Sequence, residues 1–123
     1  MPHVSRFPLK KRVWEKVFRL FLEGLKEAKN KQEIESFLEG FFAPTERVML
    51  AKRFAAFFLL EKGVEGREIA EILKISTGTV SRLKLWWNNL PSESKKLLQR
   101  LILKKEIKNL FADTFKTILP SFL

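Results

Sequence analysis

The chain has 123 residues, of which 46% are hydrophobic and 31% are charged, a composition typical of a folded protein with room for one domain. It has no cysteine and only one histidine, His3, which excludes disulfide frameworks, zinc ribbons, thiol catalysis and Ser-His-Asp chemistry. We therefore expect neither an enzyme nor a metal site. The net charge of +10 favours a polyanionic partner, either nucleic acid or an anionic membrane surface.

No segment of the sequence is expected to cross a membrane. The longest apolar run, residues 54–60, is far shorter than the roughly 18 residues that a spanning helix needs. The N-terminal apolar segment is interrupted by Glu15, Lys16 and Arg19, which is not the pattern of a signal peptide. These features predict a cytoplasmic protein.

The first part of the chain predicts three helices. Apolar residues recur at steps of three or four over residues 8–29, which indicates a helix of about six turns. Asn30 followed by Glu33 has the spacing of a capping box and predicts a second, short helix that runs to about Gly40. Pro44 fits the first turn of a third helix, where the carboxylate of Glu46 would lie near the positive end.

The third helix is apolar around most of its circumference. Its apolar residues are Val48, Met49, Leu50, Ala51, Phe54, Ala55, Ala56, Phe57, Phe58, Leu59 and Leu60. Such a helix must be covered on all sides, and one chain of this length can hardly cover it while its first and last helices also carry broad apolar faces. We infer a homodimer with a shared helical core; the alternative is a monomer wrapped around this helix.

The rest of the chain predicts further helices and no strands. Gly63 and Gly66 bracket a turn, and two short helical segments follow. Ser92 can cap a last long helix, which residues 113–119 either continue or follow with a separate turn before Pro120. No run alternates with period two between hairpin turns. We predict a single all-α domain over residues 1–123, with six helices.

Residues 66–85, GREIAEILKISTGTVSRLKL, have the pattern of a DNA-binding helix-turn-helix. The predicted buried positions are Ile69, Ala70, Leu73, Ile75, Val80 and Leu83. Ser76 is a natural N-cap for the second helix, accepting a backbone N–H from Gly78 or Thr79. Lys74 stands at the corner where glycine is usual, so it either carries strain or forces a different turn. A helix pair that serves only as a packing unit is the alternative interpretation.

With Val80 and Leu83 turned inward, the other side of the second helix is free to enter a major groove. The predicted DNA-binding residues are Arg67, Ser76, Thr77, Gly78, Thr79, Ser81, Arg82 and Lys84. Arg82 can pair bidentately with guanine, the hydroxyl groups can bond base edges or phosphates, and Gly78 permits close approach. Trp86 and Trp87 are expected to anchor the helix pair to the core rather than to stack on unpaired bases.

The basic residues are concentrated outside this unit. Residues 66–91 carry a net charge of +2, residues 1–19 carry +5 and residues 92–123 carry +4. The N-terminal excess suits an arm laid along phosphates, but equally a solvated helix face. A basic amphipathic helix can also lie on a membrane, although the apolar face of this one is needed for the helical core.

Residues 41–87, which include APTER, REIAEIL and TVSRLK, resemble the Trp-repressor superfamily, in particular its YerC/YecD-type branch. The resemblance covers about residues 33–87. It implies an intertwined all-α homodimer that presents two reading helices about 34 Å apart, one turn of DNA, to a near-palindromic operator. Residues 1–65 and 92–119 would then provide dimerisation helices, and residues 66–89 the helix-turn-helix.

The resemblance also locates the pocket that binds tryptophan in the tryptophan-sensing members. Its two arginines correspond to Arg53 and Arg82, whereas its threonine, glycine and serine correspond to Ala43, Leu83 and Trp86. The leucine and the tryptophan would occupy the space that an indole requires, so we expect neither tryptophan dependence nor a cofactor. Arg53 would instead hydrogen-bond within the fold or reach a phosphate.

The predicted function is that of a sequence-specific, DNA-binding transcriptional regulator of repressor type, which acts as a homodimer on double-stranded DNA. The alternative is a sigma-region-like helix-turn-helix module that docks within a larger complex and binds DNA without sequence preference.

Overall fold

The computed structural model describes residues 8–116, which form seven α-helices and no strand. The helices are α1 (Lys11–Glu27), α2 (Lys31–Phe41), α3 (Pro44–Glu61), α4 (Gly66–Leu73), α5 (Thr77–Asn88), α6 (Ser92–Leu103) and α7 (Lys105–Phe115). The all-α prediction is confirmed for this part of the chain. The predictions that concern His3, the start of the basic arm, residues 117–119 and Pro120 lie outside the described residues.

The chain divides into two compact units, Met1–Arg47 and Val48–Leu123, with the boundary inside α3. In the first unit, side chains cap the starts of α2 and α3. Asn30 Oδ1 accepts the Glu33 N–H at 2.9 Å, as predicted, while Glu33 Oε1 accepts the Lys29 N–H at 2.8 Å. Glu46 Oε1 accepts the Ala43 N–H at 2.8 Å. These bonds satisfy backbone donors that have no partner inside the helix.

Aromatic side chains join α1 to α2. The ring of Phe21 lies 5.5 Å from that of Phe37 and 6.4 Å from those of Phe41 and Phe42, measured between centroids. No residue of α1 or α2 is fully buried in the single chain. Leu20 is 73% exposed and Phe41 is 66% exposed. The first unit therefore leaves a large apolar surface uncovered.

The hydrophobic core lies in the second unit. Its buried residues are Ala56, Phe57, Phe58, Leu59, Val64, Ile69, Ala70, Leu73, Val80, Leu83, Trp87, Ile102 and Phe111. Only the second half of α3 contributes to this core, because Val48, Met49, Leu50 and Phe54 remain exposed. Within a single chain, the apolar side chains of α3 are therefore buried only in the second half of the helix.

The C-terminal segment differs from its prediction in two respects. The long last helix is divided: Lys104, with ψ 139°, is extended and separates α6 from α7, so the described residues contain seven helices rather than six. Phe111 of α7 then stacks on Phe58 with 4.0 Å between ring centroids. Ser92 does not cap α6, because Pro91 occupies the N-cap position and makes no side-chain cap.

Candidate nucleic-acid interface

Helices α4 and α5 form the helix-turn-helix. All five of the positions predicted to lie inside these two helices are buried, namely Ile69, Ala70, Leu73, Val80 and Leu83. Ile75, predicted to fill the corner, is half-buried and contacts the same core. The two helices are therefore fixed to each other and to α3 by apolar contacts, which orients α5 as a rigid element.

The corner between α4 and α5 keeps the geometry usual for glycine although it holds a lysine. Lys74 is left-handed, with φ 56° and ψ 52°, and its N–H and that of Ile75 both donate to the Ala70 carbonyl. A left-handed conformation costs a residue with a Cβ about 1 kcal/mol. Lys52 Nζ of α3 donates to the Lys74 carbonyl at 3.4 Å. The sequence pattern does not predict this contact.

Helix α5 begins with the predicted cap. Ser76 Oγ accepts the N–H of Thr79 at 3.0 Å, which decides between the two donors considered from the sequence. The capped end, and with it the first turn of α5, is the part of a recognition helix that contacts base edges in helix-turn-helix proteins.

The outer side of the unit is polar and accessible. Seven of the eight predicted DNA-binding residues are exposed, and Thr79 is half-buried. An open cleft of about 700 Å³ between the start of α4 and α5 brings together Arg67, Thr77, Ser81 and Lys84. This cleft combines two cations with two hydroxyl groups, which is a suitable set of donors for phosphate oxygens.

Arg82 lies back along its own helix instead of extending into solvent. Its Nη2 donates to Thr79 Oγ1 at 3.1 Å, and Ser76 Oγ donates to the same oxygen at 2.9 Å. The spacing of three residues places Thr79 and Arg82 on one helix face, but the sequence pattern does not predict the hydrogen bonds of this network.

Arg53 and Trp86 connect α3 with the end of α5. The Arg53 guanidinium carbon lies 4.4 Å from the Trp86 ring centroid, and that ring also meets Phe57 edge-on at 6.3 Å. Arg53 Nε is buried and has no hydrogen-bond partner within residues 8–116. Trp87 is buried as predicted, with its ring 5.1 Å from that of Phe57, whereas Trp86 remains 42% exposed.

Other kinds of site are not found in the described part of the chain. Within residues 8–116, no group of three or more His, Cys, Asp or Glu residues could hold a metal ion. No helix in that range is long and apolar enough to cross a membrane.

The family model described as Trp repressor protein matches residues 16–102. The chain belongs to this family. Trp repressor proteins are helix-turn-helix DNA-binding regulators rather than enzymes, and the match includes all of α4 and α5. No curated protein and no solved structure matches the chain.

Three positions of this Trp repressor family chain, Ala43, Leu83 and Trp86, differ from the tryptophan pocket that the resemblance implies, and two of them lie on α5. Leu83, in place of glycine, is buried, and Trp86, in place of serine, lies against the Arg53 guanidinium. An open pocket of about 100 Å³ remains beside Leu83, and its lining residues are Met49, Lys52, Arg53, Ile75, Thr79 and Leu83. Both retained arginines thus contact residues of their own chain, Arg53 at Trp86 and Arg82 at Thr79.

Proposed function

We propose that this protein is a sequence-specific transcriptional regulator that binds double-stranded DNA as a homodimer, in the cytoplasm, by placing α5 in the major groove. The observation that carries the proposal is the division of α5 into two sides near its capped end. Val80 and Leu83 are buried in the core. The exposed residues of this part of the helix are Thr77, Gly78, Ser81 and Arg82. This exposed side begins at the capped end of the helix, which is the part of a recognition helix that contacts base edges.

The proposed DNA contacts fall into two groups. Arg67 and Lys84, which line the cleft between α4 and α5, neutralise phosphates together with the hydroxyl groups of Thr77 and Ser81. Arg82 lies on the outer side of α5 and reads a guanine edge, and Gly78 lets the helix backbone approach the bases. The phosphate contacts set affinity and register, and the base contacts set sequence preference.

The homodimer is supported by the apolar surface that one chain leaves uncovered. Large side chains are exposed on α1 and, separately, on the first half of α3, where Val48 and Leu50 are among them. Exposed apolar surface of this extent marks an interaction site. Residues 1–65 and 92–119 would form the shared core, and residues 66–89 of each chain would read one half-site, which requires a near-palindromic operator.

Binding without tryptophan is supported by the contents of the pocket region. The open pocket beside Leu83 has a volume of only about 100 Å³, and the Leu83 side chain is buried where the resemblance implies a glycine. Trp86 supplies an aromatic ring from the chain itself against Arg53. We therefore propose a regulator of the YerC/YecD-type branch that needs no corepressor.

Selection of bound sequences from a random pool of duplex DNA tests the proposal. We expect a two-fold symmetric site whose half-sites are separated by about 10 base pairs, one helical turn. Binding that depends steeply on salt but selects no sequence would contradict a specific regulator. That result would favour the sigma-region-like module.

A further inference from the structure

The hydroxyl group of Thr79 is the centre of a small hydrogen-bond network on the first turn of α5. Its Oγ1 accepts from Ser76 Oγ at 2.9 Å and from Arg82 Nη2 at 3.1 Å. Ser76 Oγ accepts the Thr79 N–H at 3.0 Å in turn. A hydroxyl oxygen has two acceptor sites, and both are used here. The cap of the helix and the guanidinium of Arg82 are therefore connected through one atom.

This network determines where the guanidinium of Arg82 lies. The side chain is directed toward the helix N-terminus, as long side chains on helices usually are. A Cβ placed on Gly78 would lie 3.8 Å from Arg82 Nη1, so the guanidinium is close to the Gly78 backbone. Its donors are thus placed at the capped end of α5, although Arg82 itself belongs to the second turn of the helix.

We propose that Thr79 is a specificity-determining positioning residue: its hydroxyl group, held by Ser76, orients the Arg82 guanidinium for bidentate pairing with guanine. The inference rests on the proposed function, because it requires that α5 reads DNA. An exposed arginine without such a bond loses more conformational freedom when it binds. Thr79 consequently supports the preference for guanine through Arg82 and without a base contact of its own.

Thr79→Val and Thr79→Ser form the matched pair of variants. Valine keeps the volume and the β-branch of threonine but lacks the acceptor, while serine keeps the acceptor and lacks the methyl group. Thr114→Val is the control elsewhere in the chain, since the Thr114 hydroxyl donates to the Leu110 carbonyl within α7 at 2.7 Å. If Thr79→Val lowers the preference for guanine and Thr79→Ser does not, the effect is due to the missing hydrogen bond and not to altered packing.

The first measurement needs no DNA. ¹⁵N relaxation of the Arg82 Nε–H in the full chain reports the mobility of the guanidinium. We expect Thr79→Val to increase that mobility, and Thr79→Ser and Thr114→Val to leave it as in the wild type. Equal mobility in the wild type and in Thr79→Val would overturn the inference, whatever the DNA experiments show.

The second measurement is the base preference of each variant after selection on random duplexes. Arg82→Ala identifies the base pair that Arg82 reads. At that pair we expect Thr79→Val to lower the preference for guanine about two- to tenfold, the usual effect of one hydrogen bond, and Thr79→Ser to restore it. In the Arg82→Ala background, Thr79→Val should have no further effect, since the threonine acts through the arginine.

The outcomes distinguish a failure of the inference about Thr79 from a failure of the proposed function. Effects of Thr79→Val and Arg82→Ala that simply add would mean that Thr79 contacts DNA independently, and would overturn the inference. Unchanged guanine preference in Thr79→Val, with a symmetric site selected by the wild type, would overturn the inference and leave the proposed function intact. A wild type that selects no sequence would contradict both.

Discussion

The Arg53 guanidinium lies over the Trp86 ring, 4.4 Å from its centroid, and so joins α3 to α5. Cation–π contacts at partly exposed sites contribute about 0.5–1 kcal/mol. The neighbouring Leu83 is buried, and the two side chains leave little free volume between the helices. Contacts made by this chain alone therefore hold α5 at the place where the resemblance implies a bound tryptophan.

We expect added L-tryptophan to leave DNA affinity unchanged. The expectation rests on the proposal that the ring of Trp86, which lies against Arg53, and the buried side chain of Leu83 take the space that an indole would need. Gel shifts with the selected site, with and without millimolar L-tryptophan, measure the effect. Tighter binding in the presence of the amino acid would show that a pocket opens between α3 and α5 and would contradict the account.

Replacement of Arg82 by alanine should cost about 1–3 kcal/mol of specific binding and relax the choice at one base pair. Arg82→Lys is the matched variant, since it keeps the charge and loses the planar fork that pairs bidentately with guanine. Both variants should lose sequence preference, while the lysine variant keeps the salt dependence of the wild type. If Arg82→Ala bound the selected site as the wild type does, the assignment of the reading helix would be wrong.

Gly78→Ala should weaken DNA binding without destabilising the fold. An added Cβ would meet only Arg82 Nη1 at 3.8 Å and Ser76 Oγ at 3.9 Å, which are ordinary contacts, so the fold accepts it. Alanine in a helix is more stable than glycine by roughly 0.5–1 kcal/mol. We expect an equal or higher melting temperature together with at least tenfold weaker binding. Unchanged affinity would mean that the backbone at position 78 does not approach the bases.

Lys74→Gly should stabilise the protein relative to Lys74→Ala. Both variants remove the same charge, but only glycine accepts φ 56° without the steric cost of a Cβ. The expected difference is about 1 kcal/mol in the free energy of unfolding, measured by urea denaturation. Equal stability of the two variants would show that the corner is not strained.

Much of the site follows from local sequence chemistry. The cap at Ser76 and the five buried positions of α4 and α5 were predictable, because N-caps and helical periodicity act over only a few residues. The sequence alone does not decide the conformation of Lys74, since propensity disfavours a left-handed lysine while the burial of Leu73 and the contacts of Ile75 favour it. Here the apolar contacts of Leu73 and Ile75 outweigh the preference of lysine for a right-handed conformation.

The remaining features depend on tertiary contacts. Lys104 carries no glycine or proline signal, and apolar residues continue with helical spacing on both sides of it, so the break between α6 and α7 was not predictable. Likewise the bond from Lys52 to the Lys74 carbonyl and the stacking of Arg53 on Trp86 require the packing of α3 against the helix-turn-helix. No sequence pattern encodes those distances.

Protection of guanine N7 from methylation in the complex with the selected duplex shows whether α5 of each subunit enters the major groove, because N7 faces that groove. Two copies of α5 in adjacent major grooves predict two protected segments on one face of the duplex, about 10 base pairs apart. Protection confined to a single half-site, or no protection of N7 despite tight binding, would contradict a homodimer that reads DNA through α5.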